Sequence, residues 1–317
     1  MVAAGTFKTA LPCTASHEGA GTIVATGSAV SEFSEGDRVM CGLPLHPCGI
    51  CDDCNGPEEH RQYCTRGDGV IGVQTHGAFS EYVLVDSRTG TVKLPDSVSF
   101  ETAAPLACAG ITVFRALLQT GLKTGEWLCL VGAGGGLGHR GIQFAKAMGL
   151  KVVGIDARDL GLALAKETGV DVVVDARKGK EAAAEEVQKV TGGGGADATV
   201  NLSDAKGAAA LACAVTKMHG LVVQIAQPDE ISVPFKETIF RDIRIHGSLT
   251  SSPAQAAQMI DAVAKHRISV TTNPVYGLEA IPQLVELSHG GRLRGKGIVI
   301  VDRAQVDAEK EKGVELV

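Results

Sequence analysis

No apolar run in the 317-residue chain approaches the ~20 residues that a membrane-crossing helix needs. No basic start followed by an apolar block opens it, as a secretory signal would require. An excess of positive charge is missing as well. Lys and Arg number 30 against 36 Asp and Glu, a net charge of −6, so no broad basic face for nucleic acid is expected. Internal repeats are absent, and 44% hydrophobic with 21% charged residues excludes disorder as the main state. These absences lead to the expectation of a cytoplasmic protein with no nucleic-acid or membrane partner. At roughly 150 residues per domain, the length suggests two domains.

Two residue types are abundant instead. There are 40 glycines, gathered at turns and in one dense run, and 9 cysteines, four of them within residues 48–64. In a chain without a signal, such clustering favours metal over disulfides. Residues 1–100 read as short β segments with Gly-rich turns, including 21–26, 38–41 and 80–85. Residues 120–250 alternate strand and helix: strands at 127–131, 151–155, 171–174, 196–202 and 221–225, with helices between them. That alternation predicts a doubly wound parallel sheet, an α/β fold. An Ala-rich helix at 253–264 follows, then strands near 277 and at 298–301, and residues 302–317 read as a charged, solvated tail.

The run Gly132-Ala133-Gly134-Gly135-Gly136-Leu137-Gly138 lies between a strand and a helix. Glycines there let backbone N–H groups approach a pyrophosphate at the helix N-terminus. Asp156 ends the next strand, 22 residues past Gly134. A carboxylate at that point can accept hydrogen bonds from both adenosine ribose hydroxyls and repels a 2′-phosphate, which favours NAD over NADP. Cys48, Cys51, Cys54 and Cys64 have the spacing of a closed four-thiolate zinc site, which staples a loop and leaves no room for substrate. His60 falls inside the last spacer. His17 and Cys108 can supply two ligands of an open zinc site, although alone such residues more often belong to a core.

With these motifs in view, the chain resembles the zinc-dependent alcohol dehydrogenases of the medium-chain dehydrogenase/reductase family, the yeast-like microbial branch most of all. The matching stretches are HEGAG (17–21), the four-Cys loop, THGAFSEY (75–82), APLACAGITVF (104–114), VGAGGGLGHRGIQFAKAMG (131–149), VVGID (152–156) and LRGKGIVIVD (293–302). The resemblance implies a GroES-like β domain at 1–110, carrying the structural-zinc loop 47–64, and a Rossmann NAD-binding domain at 111–248. A return segment at 249–302 would complete the first domain, and 303–317 would be a charged tail. It implies a homo-oligomer, dimer or tetramer, and reversible oxidation of an alcohol to an aldehyde or ketone by NAD. His17, Glu18 and Cys108 become expected catalytic-zinc residues. Gly132, Gly134, Gly135, Gly136, Leu137, Gly138, Asp156, Ser203, Ser248 and Lys296 become expected cofactor contacts.

The chain departs from the family pattern in several places. The family's first zinc-ligand Cys and its Ser/Thr and His proton relay precede the His-Glu pair by a stretch with no counterpart here, so the β domain is expected to be N-terminally incomplete. Cys13 is not aligned with that ligand. The Gly usually before the His is Ser16, and the Arg usually meeting the pyrophosphate is Lys296. The Trp usual in the substrate pocket is absent from residues 41–46, and Gln227 stands at an ordinarily apolar pocket position. Both changes suggest a substrate larger or more polar than a short alkanol. Two alternatives stay open: an impaired homologue that binds NAD and structural zinc without turnover, and a zinc-free reductase of the same superfamily.

Overall fold

The computed structural model describes residues 5–314. The chain divides into two compact units, Met1–Ile111 with Thr250–Val317, and Thr112–Leu249.

In the second unit six parallel strands form one sheet. Their spatial order is Arg244–Gly247, Thr216–Gln224, Ala196–Asn201, Trp127–Val131, Lys151–Asp156 and Val172–Asp175. All five pairings are parallel. The first of these six strands in chain order, Trp127–Val131, is flanked on one side by the second and on the other by the fourth. Strand order therefore reverses beside it, which is where doubly wound sheets bind nucleotides. Helices Gly138–Ala147, Asp159–Glu167, Lys180–Val190 and Ala208–Val215 follow successive strands. Four of the five residues of Trp127–Val131 are buried, and Cys129, Val153, Ile155 and Val222 share one apolar core. Strands enclosed on both faces read as continuous apolar runs, which is why this sheet is legible in the sequence.

The first unit is built from smaller sheets. Ala20–Thr22, Arg38–Met40 and Val92–Lys93 form an antiparallel set in that order. Pro44–Leu45 pairs with Gly69–Val70, and Thr272–Tyr276 runs parallel to Lys296–Ile300. Residues 80–85, expected as a strand, form none and pair with no strand among the described residues. Helical turns continue without a break over Phe100–Thr120. By length and composition this stretch could cross a bilayer, contrary to the sequence reading, but it carries Glu101, Pro105 and Arg115 and most of it is buried in the fold.

The charged C-terminal stretch corrects another expectation. Apart from 315–317, outside the described residues, it holds a helix, Arg303–Glu311, capped by the Asp302 side chain. Val306 packs with Ile298 and Ile300. Glu309 is buried, pairs with Arg38, and accepts the Phe100 N–H at 3.1–3.2 Å. A short charged segment reads as solvated because its two inward residues, one of them acidic, give no apolar stripe. Removing one partner of such a pair leaves a buried charge uncompensated. Glu309→Ala is expected to lower stability by about 3 kcal/mol, measurable by urea unfolding. An unchanged midpoint would mean that the pair contributes nothing.

Candidate active site and zinc centres

Four short segments build the environment of His17. Residues 14–16 lie against 77–79 through Gly77 N–H to Thr14 O (2.8 Å), Ala78 N–H to Ser16 O (2.8 Å) and Phe79 N–H to Ala15 O (3.0 Å). A Cβ on Gly77 would stand 2.1 Å from the Ser16 carbonyl oxygen, and one on Gly72 would stand 2.3 Å from it. The THGAF motif thus clamps the main chain that presents His17. Ser16 itself has φ +72°, a left-handed conformation that favours glycine. Its hydroxyl offsets part of that cost by donating to Glu18 O at 2.9 Å.

Cys108 sits in a π-helical turn, Leu106–Gly110, between α-helical segments Phe100–Pro105 and Ile111–Thr120. Such turns interrupt helices frequently at functional sites. The ligand atoms of His17, Glu18 and Cys108 all lie within 4.8 Å of one another. Burial holds the His17 imidazole below its usual pKa; Glu18 opposes this and Lys296 adds to it. His17 is therefore a neutral ring near pH 7, the form that ligates metal. Glu18 is held on several sides. Its Oε1 accepts from Lys296 Nζ (2.8 Å) and from Ala109 N–H (3.2 Å), and its Oε2 accepts from Lys296 Nζ (2.6 Å). Lys296, expected at a pyrophosphate, thus has its ammonium on Glu18. The sequence carries no sign of this, because the two residues are 278 positions apart. Cys13 donates to Thr75 O at 3.3 Å and is not among the clustered donors.

The ligand atoms of Cys48, Cys51, Cys54 and Cys64 also lie within 4.8 Å of one another, with Cys48 Sγ 3.9 Å from Cys54 Sγ and 3.8 Å from Cys64 Sγ. Four thiolates around zinc at ~2.3 Å stand about 3.8 Å apart, so this donor set fits the ion. His60 is not in the cluster. The Ile50 N–H, ahead of smaller contributions from Cys51 and Cys64, pulls the Cys48 thiol down to about 6 against the cost of burial, which favours the thiolate. The loop holds a short helix, Asp52–Asn55, and a 3₁₀ turn, Glu58–Tyr63. Glu58 accepts from the Ser252 hydroxyl and from Ala254 N–H (2.9 Å) at the N-terminus of helix Pro253–His266, where the helix dipole favours an acid.

The glycine loop of the other unit follows Trp127–Val131. Gly132 and Ala133 donate to Ile155 O at 2.8 and 3.0 Å, and Gly134 N–H donates to Asp156 Oδ2 at 2.9 Å. Among the described residues the N–H groups of Gly136 and Leu137 meet no backbone acceptor, so they are open to an anion at the start of Gly138–Ala147. A Cβ on Gly134 would stand 1.9 Å from Gly161 O, and one on Gly161 2.5 Å from Asp156 Cγ. This close approach seats the Asp156 carboxylate beside the loop. Asp156 Oδ1 takes the N–H groups of Ala157 (2.9 Å) and Arg158 (3.1 Å), with Arg158 Nε at 3.4 Å. Ser203 lies just past strand Ala196–Asn201, its N–H on Asn201 Oδ1 at 3.2 Å. Ser248 follows Arg244–Gly247, its hydroxyl 3.3 Å from Arg115 Nη1. Gly132, Gly135, Gly138, Asp156, Ser203 and Ser248 are thus all near C-terminal strand ends of the sheet.

The sequence matches the family described as alcohol dehydrogenase GroES-like domain over residues 1–96 and the zinc-binding dehydrogenase family over 136–265. An alcohol dehydrogenase of Geobacillus stearothermophilus is 36% identical over 296 residues, 93% of this chain and 85% of the relative. The chain belongs to the zinc-dependent alcohol dehydrogenase family. Alcohol dehydrogenase 1 of Emericella nidulans is 32% identical over 91% of this chain and 82% of its own. A solved NAD-dependent alcohol dehydrogenase superposes with a TM-score of 0.83 at 26% identity, covering 93% of this chain and 84% of that one. As an alcohol dehydrogenase of this family, the chain is an NAD- and zinc-dependent oxidoreductase that interconverts alcohols with aldehydes or ketones. These relatives favour the working enzyme over a homologue that binds without turnover.

Proposed function

We propose that His17, Cys108 and Glu18 hold the catalytic zinc of this alcohol dehydrogenase, and that Cys48, Cys51, Cys54 and Cys64 hold a structural one. The observation that carries the reading is the convergence of His17, Glu18 and Cys108 donor atoms from two distant segments. Bound there, zinc supplies Lewis acidity toward an alcohol or carbonyl oxygen, and NAD supplies the hydride acceptor. His17 is kept neutral by burial, so it need not lose a proton to serve as a ligand. Lys296 pairs with the Glu18 carboxylate and orients it beside that ring. Zinc analysis of the purified chain tests the assignment: two ions per chain are expected, falling to one in Cys108→Ser. Two zincs retained in that variant would refute it.

Gly132, Gly134, Gly135, Gly136, Leu137 and Gly138 serve the pyrophosphate, with Ser203 and Ser248 as further cofactor contacts. Asp156 serves the adenosine ribose. Asp156→Ala is expected to weaken NAD binding by about tenfold, one charge-assisted contact of roughly 1.5 kcal/mol, and to narrow the preference over NADP. Titration of both cofactors checks this, and equal affinities in the unmodified protein would contradict the role.

The absent Trp in 41–46 and the polar Gln227 support a substrate larger or more polar than a short alkanol. A homo-oligomer is supported by the edge strand Arg244–Gly247, whose free edge can pair with its own copy about a twofold axis. In the same unit Phe235, Ile239 and Phe240 are each more than 60% exposed, an apolar group of the kind that interfaces cover.

A further inference from the structure

We propose that the side-chain pair Asn201–Gln224 is a positioning device for the nicotinamide half of NAD, acting through the loops that leave two neighbouring strands. This rests on the reading of the glycine loop and Asp156 as the pyrophosphate and adenosine ribose sites. The two residues stand side by side in the register of strands Ala196–Asn201 and Thr216–Gln224. Asn201 is 1% exposed, and the preceding Val200 and Val223 are fully buried. Asn201 Nδ2 donates to Gln224 Oε1 at 2.9 Å, and Asn201 Oδ1 accepts the Ser203 N–H at 3.2 Å. Gln224 Nε2 donates to Ala226 O at 2.6 Å. The main chain adds to this. Asn201 O accepts the N–H groups of Ile225 (3.0 Å) and Ala226 (3.2 Å), and Gln224 O accepts that of Ser248 (3.0 Å). Leu202 N–H donates to Val131 O at 2.9 Å, and a Cβ on Gly132 would stand 3.4 Å from Ser203 N. The contacts therefore run unbroken from the glycine loop to Ser203, Ala226 and Ser248.

Stability does not account for the pair. Burying an amide costs free energy unless it is hydrogen-bonded, and two apolar residues of similar shape would serve a sheet core as well. What a satisfied polar network adds is a single fixed arrangement. The place of the pair says what is fixed. Asp156 ends the strand on one side of Trp127–Val131, and the strands ending at Asn201 and Gln224 lie on the other side. A dinucleotide held at Asp156 and the glycine loop extends its far half over those ends, where strand order reverses. Hydride transfer depends on placing the reacting atoms to within an ångström or so, and misplacement of about 1 Å can cost ~100-fold in rate. The amides hold the edge that the nicotinamide half meets, through the Ser203 N–H and the Ala226 carbonyl.

The test compares Asn201→Val, Gln224→Leu and the double variant in the zinc-loaded full chain. Each single change strands one amide and should lower the melting temperature. The double change removes both partners and should restore most of it, because an apolar pair is close to neutral. Restored stability should not restore function: kcat is expected to stay about 10–100-fold low in the double variant as in the singles. Rates are read well below the lowest melting temperature, so partial unfolding does not enter. The fluorescence of bound NADH, which reports the surroundings of the nicotinamide ring, should change in all three. Affinity for ADP-ribose, which lacks that ring, should not change. A double variant with full kcat and unaltered NADH fluorescence would overturn the proposal by making the pair structural only. Loss of ADP-ribose affinity in that variant would overturn it as well, by moving the effect to the adenosine half. Asp156→Ala, measured alongside, should weaken ADP-ribose. If it does not, the ribose reading fails, and the proposal with it, on a result separate from those of the pair.

Discussion

Replacing any one of Cys48, Cys51, Cys54 or Cys64 by Ser is expected to remove one zinc per chain and lower the melting temperature by about 10 °C. Structural zinc contributes folding free energy directly, ~10–16 kcal/mol in peptides that have no other core. This loop is part of a larger unit, so only a fraction of that figure is at stake. A loss of about 3–4 kcal/mol, at roughly 2–4 °C per kcal/mol for units of this size, gives the stated shift. The loop also carries Glu58, which accepts at the start of helix Pro253–His266, so its unfolding takes a helix cap with it. Zinc content by mass spectrometry and calorimetric melting measure the two effects together. If a serine variant lost zinc and melted like the unmodified protein, the site would not be structural.

The second large effect is expected at His17. His17→Ala should reduce kcat/KM by about 10³-fold or more, because losing Lewis-acid assistance costs several kcal/mol and each ~1.4 kcal/mol is tenfold. Lys296→Met should be milder, about 10–100-fold, the usual cost of removing a group that orients a metal site from outside it. Lys296→Arg should recover part of that loss, since charge is kept while the shape of the contact changes. Steady-state kinetics of the three variants separates the roles. Equal losses in His17→Ala and Lys296→Met would place Lys296 among the reacting groups.

What could be read in advance follows from how locally each feature is encoded. The parallel sheet shows in 127–131 and 151–155 because strands buried on both faces are continuous apolar runs. The four-cysteine loop shows because its ligands fall within seventeen residues. His17 and Cys108 are ambiguous as isolated residues, and only the collinear family motifs raise them to candidates. The Glu18–Lys296 pair is invisible, since nothing in either neighbourhood specifies a partner 278 residues away. The helix Arg303–Glu311 is misread because a buried Glu309 looks like any surface acid until Arg38 and the Phe100 N–H are seen around it. Residues 80–85 alternate like a strand, yet strand formation needs a neighbour, and alternation says nothing about one.

The π-helical turn at Leu106–Gly110 makes Cys108 dependent on the length of the chain as well as on its sequence. A π turn amounts to one residue more than the α-helix around it would contain. Deleting a single residue there would let the helix close into regular pitch and would draw the residues of the turn itself back into ordinary α-helical positions. The Cys108 sulfur and the Ala109 N–H that reaches Glu18 would then no longer share their present orientation, although every named side chain would still be encoded. At this position insertions and deletions are therefore more damaging than most substitutions, and genetic drift in length should be tolerated far less here than in the loops nearby.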